Sequence, residues 1–153
     1  GGSLRVYISK NQKVKIQSSV TEILKEEEKF GIKDFKTYKN FETKILQIKT
    51  NVRKNLKKLL KNHKKIIGYG SPAKATTALN FFGISKEIEC IIEDNKLKHG
   101  KFIPGVKIPI ISRKKLKTNP KCVLVLAWNF FNEIKKNNQD LSKNFVSISE
   151  LKN

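Results

Sequence analysis

The chain has little cysteine, little arginine and little acid. Cys90 and Cys122 stand far apart inside apolar runs. That spacing excludes a disulfide framework and points to buried thiols in a reducing, cytoplasmic setting. Neither has a cysteine or histidine close by, and His63 and His99 are isolated as well, so no ligand cluster for zinc is present. No apolar run approaches the roughly 20 residues that a bilayer-spanning helix needs, which argues against a membrane partner. No signal peptide, internal repeat or low-complexity segment is visible beyond a general excess of lysine.

The shortage of acid leaves a formal charge of +20, from 33 basic against 13 acidic residues. Such a balance suggests a polyanion partner. Yet only Arg5, Arg53 and Arg113 are arginines, and arginine is the usual instrument of bidentate base and phosphate recognition. Lysine, asparagine and isoleucine, all abundant here, share A/T-rich codons. The charge is also spread, +12 over residues 1–65 and +8 over 66–153. A solvated lysine surface accounts for it, and nucleic acid is the weaker alternative.

Two regions differ in pattern. In residues 1–63, Leu4 to Ile8 alternates apolar and polar residues as a strand does. Val20 to Phe30 has helical character, with Ser19 and Glu22 at capping-box spacing and Gly31 as a stop. Asp34 to Asn62 carries Phe35, Tyr38, Phe41, Ile45, Ile48, Val52, Leu56 and Leu59 at steps of three and four. That spacing predicts one apolar face of a long helix, packed on the domain that follows, with the aromatics in its core. Over residues 64–153 strands are predicted near 65–69, 87–93, 122–127 and 145–148, with a short piece at 108–111. Helices are predicted near 72–82, 112–117 and 130–137. This alternation predicts an α/β, Rossmann-like parallel sheet flanked by helices, preceded by an N-terminal strand and a helical lead-in with one long helix.

The segment Ile66 to Gly83 carries the most chemistry. Gly68 and Gly70 permit a sharp turn and close backbone approach to a ligand. Ser71 suits an N-cap, Pro72 the first helical position and Gly83 the residue past the helix end. Free N–H groups at such a helix start favour an anion, and Lys74 in the first turn is tolerable if an anion lies near. Ala73 stands where a dinucleotide fingerprint has its third glycine, so a tight turn in any α/β domain fits too. Glu93 follows Gly70 by 23 residues, about where a dinucleotide fold places its ribose-binding acid. Glu93 and Asp94 can bind hydroxyls or cap the loop. Tyr69 can stack on a base or fill the turn. Trp128 and Asn129, after the apolar run from Cys122 to Ala127, can hold a sugar or base or simply pack. His99 is expected to be an exposed loop residue.

Four ordered phrases carry a resemblance: Gly1-Gly2-Ser3-Leu4-Arg5-Val6-Tyr7, Gly68-Tyr69-Gly70-Ser71-Pro72-Ala73-Lys74-Ala75, the stretch from Glu93 to Ile110 that contains His99-Gly100-Lys101-Phe102-Ile103-Pro104-Gly105, and Leu126-Ala127-Trp128-Asn129-Phe130. Together they resemble the C-terminal domain of the sugar C-methyltransferases. Ala75 replaces a family glycine, Glu93 an aspartate and His99 a glutamine. The resemblance implies the C-terminal portion of a longer enzyme, with a zinc-binding domain and a methyltransferase domain as its partners. It implies a nucleoside-diphosphate-linked keto-deoxysugar as substrate. S-adenosylmethionine would serve the intact enzyme, with its site and the enolising base in another domain and no cofactor held here. Gly68, Tyr69, Gly70, Ser71, Lys74, Glu93, Asp94, Trp128 and Asn129 would then bind substrate, and Arg5 would touch substrate or a neighbouring domain. A free-standing nucleotide- or NAD-binding module is the alternative, and a basic polyanion-binding protein the remoter one.

Overall fold

A computed structural model describes residues 3–11, 13–63 and 65–153. Gly1 and Gly2 of the first resembling phrase lie outside them. The chain divides into two compact units, Gly1–Lys44 and Ile45–Asn153.

In the first unit, residues 3–9 form no regular element. The strand expected over Leu4 to Ile8 is absent because alternation alone does not make one: a strand needs a neighbour for its N–H and C=O groups. Leu4, Val6, Tyr7 and Ile8 are all exposed. Helix α1 spans Ser18–Phe30 and starts earlier than expected; Gln17 is its N-cap and gives no side-chain hydrogen bond, so Ser19 lies inside the helix and caps nothing. Gly31, at φ +79°, closes the helix as expected, its N–H donating to the Glu27 and Glu28 carbonyls. Helix α1 buries no residue. Asp34 then starts the long helix α2, Phe35–His63, its Oδ1 accepting from the Lys36 N–H at 2.9 Å. Phe35, Tyr38 and Phe41 are exposed, not core. The apolar stripe runs along one side of α2 as the spacing predicts, but among the described residues none covers its first three aromatics.

From Ile45 onward the stripe does its expected work. Val52 and Leu56 are fully buried, with Ile48, Leu59 and Leu60 packed beside them. The sheet holds β1 (Ile66–Tyr69), β2 (Ile88–Ile92), β3 (Ile110–Ile111), β4 (Val123–Val125) and β5 (Phe145–Ser147). All neighbours are parallel, in the order β3-β2-β1-β4-β5. Helix α3, Ala73–Phe82, joins β1 to β2, and α4, Phe131–Asn137, joins β4 to β5. The helix expected near 112–117 is only a 3-10 turn, Arg113–Lys115, held by Ser112 Oγ accepting from the Lys114 N–H.

Alternation sorts the strand side chains between two cores, with one break in β2, where the register with β1 shifts between Ile88 and Ile91. Ile66, Ile88, Ile91, Leu124 and Leu126 face α2 and α3, meeting Val52, Leu56, Ala75, Leu79 and Phe82. Ile67, Tyr69, Cys90, Ile92, Val123, Val125 and Phe145 face the other way, with Phe131 and Ile134 of α4 against them. Both cysteines are free and buried, and burial pushes each thiol up to about 11.

Candidate ligand cleft at the carboxyl edge of the sheet

The strand order reverses between β1 and β4. The chain leaves β1 toward α3 on one face of the sheet and leaves β4 toward α4 on the other. A crevice opens at such a switch point, beyond the carboxyl ends of the strands. Gly70 forms its floor at φ +82°, where a Cβ would lie 2.8 Å from the Ala127 Cβ. Its N–H donates to the Ile92 carbonyl at 2.8 Å, so the turn is pinned to both neighbouring strands. Gly68 is glycine for a different reason. A Cβ there would meet Ile91 Cγ1 at 2.7 Å and Leu126 Cδ1 at 3.2 Å, so the core sets that residue and it does not line the cleft.

Helix α3 begins at Ala73 with Pro72 as N-cap. The expected cap, Ser71, sits one residue too early and turns instead to Glu93. Both its N–H, at 2.8 Å, and its hydroxyl donate to Glu93 Oε2. Lys98 Nζ reaches the same oxygen at 3.3 Å and the Ser71 carbonyl at 2.9 Å, while Glu93 Oε1 accepts from the Asn95 N–H at 3.1 Å. Burial raises the Glu93 pKa, but these bonds, Ser71's first, outweigh it and hold the carboxyl down to about 2. His99 is half-buried, with Nε2 donating to the Glu93 carbonyl at 2.6 Å. It was expected to be an exposed loop residue, but that bond draws it in.

Tyr69 is 4% exposed, its ring among the core side chains and its hydroxyl at the cleft. The hydroxyl donates to Asp94 at 3.0 Å. Burial, then the Asp94 charge, pushes its pKa up to about 12. Asn138 Oδ1 lies 3.4 Å from the same hydroxyl and from Arg113 Nη1, and Arg113 also pairs with Asp140. Lys74 Nζ stands 4.3 Å above the Trp128 ring, a distance at which a cation is attracted to the indole face.

Two recesses result. The first, about 550 Å³, is lined by Tyr69, Gly70, Ser71, Glu93 and Asp94 together with Lys98, Phe130, Glu133 and Asn138. The second, about 390 Å³, lies against Trp128, Asn129, Phe131, Ser147 and Glu150. The structure thus gathers most of the expected residues in the two recesses, leaves Gly68 in the core, leaves Lys74 outside both linings though over the Trp128 ring, and leaves Arg5 exposed in the first unit. Sequence reasoning missed Lys98, Glu133 and Asn138. Glu133, Ile134, Asn137 and Asn138 are spaced to share one side of a helix turn, a signal present directly after Leu126 to Phe130. The first recess carries Glu93, Asp94 and Glu133 against Lys98 alone, an acidic lining in a strongly basic chain.

The loop from Gly100 to Pro109 makes no part of either recess. The Gly100 and Ile110 N–H groups donate to the Ile110 and Lys101 carbonyls, and Asn80 Nδ2 of α3 donates to the Pro104 carbonyl at 2.9 Å. Gly105, at φ +80°, sits so close to Asn80 that a Cβ would overlap its amide. These residues brace α3.

A family model described as the C-methyltransferase C-terminal domain matches residues 1–147. The chain belongs to that family. The C-methyltransferase NovU of Streptomyces niveus is 31% identical over 147 residues, which cover 94% of this chain and 35% of that protein. The chain therefore spans about a third of the length of the curated relative it matches. Three of the four phrases that carried the resemblance lie in the second unit: the glycine turn, Glu93 to Lys98 and Leu126 to Phe130 build the crevice, and the loop through Gly105 supports α3.

Among the described residues no helix is long and apolar enough to cross a membrane.

Proposed function

We propose that this C-methyltransferase C-terminal domain is the substrate-side domain of an S-adenosylmethionine-dependent enzyme acting in the cytoplasm on a nucleotide-linked keto-deoxysugar. The observation that carries the proposal is the recess at the β1/β4 switch point, with a second beside it past the ends of β4 and β5, in a chain matched from residue 1 to 147 by this family. Asp94 and Glu93 offer acceptors to hydroxyls, Ser71 and Tyr69 shape the floor, and Trp128 with Asn129 offers a flat apolar ring beside an amide. Lys74, held over the indole, brings a positive charge to that ring.

In this reading the chain binds and orients the sugar nucleotide so that the carbon beside its carbonyl meets the methyl donor. Loss of the proton from that carbon gives an enolate, whose electron pair forms the new C–C bond. The base that takes the proton belongs to the rest of the enzyme. S-adenosylmethionine, held there, would supply the methyl group from its sulfonium, the S–CH3 bond breaking as the C–C bond forms and its electron pair staying on the departing thioether sulfur. In this reading the donor's own site lies in the rest of the enzyme; at the Gly70–Ser71 turn the Ser71 N–H is already given to Glu93. The first unit would meet the rest of the enzyme through its exposed Leu4, Val6, Ile8, Phe35 and Phe41, with Arg5 among them.

Steady-state kinetics on a full-length enzyme test this. Lys74→Ala and Trp128→Ala should each raise KM for the sugar nucleotide several-fold and leave KM for S-adenosylmethionine unchanged. A change confined to the S-adenosylmethionine constant would overturn the assignment of the cleft.

A further inference from the structure

A glycine turn that opens a helix beside a parallel strand has the ingredients of a phosphate site: an accessible N–H, a hydroxyl and a nearby cation. All three are here, as the Ser71 N–H, the Ser71 hydroxyl and Lys98 Nζ. All three converge on one oxygen, Glu93 Oε2. The Glu93 side chain is 12% exposed, and its other oxygen is tied to the Asn95 N–H. The turn therefore already holds an anion, and it is covalently part of the chain.

We propose that Glu93 is a specificity residue: its carboxylate occupies the anion position of the β1–α3 turn, so that the turn refuses phosphate and meets a neutral, hydroxyl-bearing part of the ligand. A phosphate oxygen entering here would lose the N–H and hydroxyl donors to Glu93 and would face Glu93, Asp94 and Glu133 together. A sugar or ribose hydroxyl is suited to the same surroundings, because it can donate to a carboxylate. With a pKa near 2 the plug stays charged at every pH at which the protein would be assayed. This inference rests on the sugar-nucleotide reading only for the identity of the hydroxyl-bearing part; exclusion of phosphate stands or falls by itself.

The test is site-resolved, because a lysine-rich surface will bind phosphates nonspecifically elsewhere. The amide resonances of Gly70 and Ser71 are followed by NMR in the 153-residue chain during titration with inorganic pyrophosphate, for the wild type and Glu93→Gln. The glutamine keeps one acceptor oxygen, for Ser71, gives up the acceptor for the Asn95 N–H, and removes the charge. The expected result is that Ser71 responds in the variant at a concentration at least tenfold below that needed in the wild type. A smaller ratio, or no response in the variant, overturns the proposal. If Glu93→Gln does not fold, the wild type decides against two probes: a Ser71 shift with a neutral methyl deoxyhexoside and none with pyrophosphate supports the proposal, and any other pattern overturns it. Failure of the sugar-nucleotide reading would instead appear in the Lys74 and Trp128 kinetics, with the pyrophosphate result intact.

Discussion

The two units of this chain have similar apolar patterning and opposite outcomes. Residues 45–153 bury two sheet faces under helices, while residues 3–44 bury almost nothing, although Val20, Ile23, Leu24, Phe30, Phe35, Tyr38 and Phe41 are spaced like core positions. Helix α2 belongs to both. Its late turns carry Val52 and Leu56 into the core, and its early turns carry three aromatics into solvent. Periodicity states which side of a helix is apolar; only a partner decides whether that side is buried.

A substitution series along α2 is the strongest way to break this comparison. Leu56→Asp should cost about 4 kcal/mol or more, through an unpaired charge at a fully buried site. Ile45→Asp, at a half-buried site, should cost about 1–2 kcal/mol. Phe41→Asp should stay within about 0.5 kcal/mol. Denaturant unfolding of the three proteins gives the ranking, and a large loss for Phe41→Asp would show that the first unit has a core after all.

Acid sharpens the comparison next. The Glu93 carboxyl is held well below its ordinary range in the folded chain, so its contribution is present above an unfolded pKa near 4.3 and is lost as pH falls toward 2. Its full size is of order 3 kcal/mol. Thermal melts from pH 6 to pH 2 should therefore show a steeper fall for the wild type than for Glu93→Gln. Parallel slopes would mean that the Ser71 and Lys98 bonds contribute little to stability.

The smallest effects come from one chemical change made once in each unit. Gly68→Ala places a methyl against Ile91 and should cost about 1–3 kcal/mol of global stability. Gly31→Ala meets a left-handed φ and should cost about 1–2 kcal/mol, but locally, as fraying of α1 seen in amide exchange with an unchanged melt of the sheet. A common drop in both proteins' main transition would erase the distinction between the units.

Much of the second unit was legible because a parallel sheet covered on both faces writes itself as short apolar runs between turn residues. The Gly70 turn, and the place of Trp128 just past a strand, were legible from the apolar runs and the turn residues between them. The direction of Glu93 did not: composition places an acid after β2, and only packing turns it onto Ser71. The α4 contribution to the cleft was hidden because Glu133 and Asn138 look like ordinary surface polar residues until α4 is laid beside β1. In the first unit, local propensity foretold α1 and α2, whereas the strand at Leu4 needed a neighbour that local sequence cannot provide.

The strand order carries a consequence for how the protein is made. Of the five strands of this sheet β1 emerges first, yet it ends up in the middle, and its β4 neighbour is synthesised only after more than fifty further residues. During translation β1, β2 and β3 can assemble as a half-sheet whose β1 flank is a bare, apolar hydrogen-bonding edge. Such an edge recruits other chains. Ribosome stalling or proteolysis before Cys122 would leave that template open, so the segment from Cys122 to Val125 acts as the seal that makes the nascent domain safe.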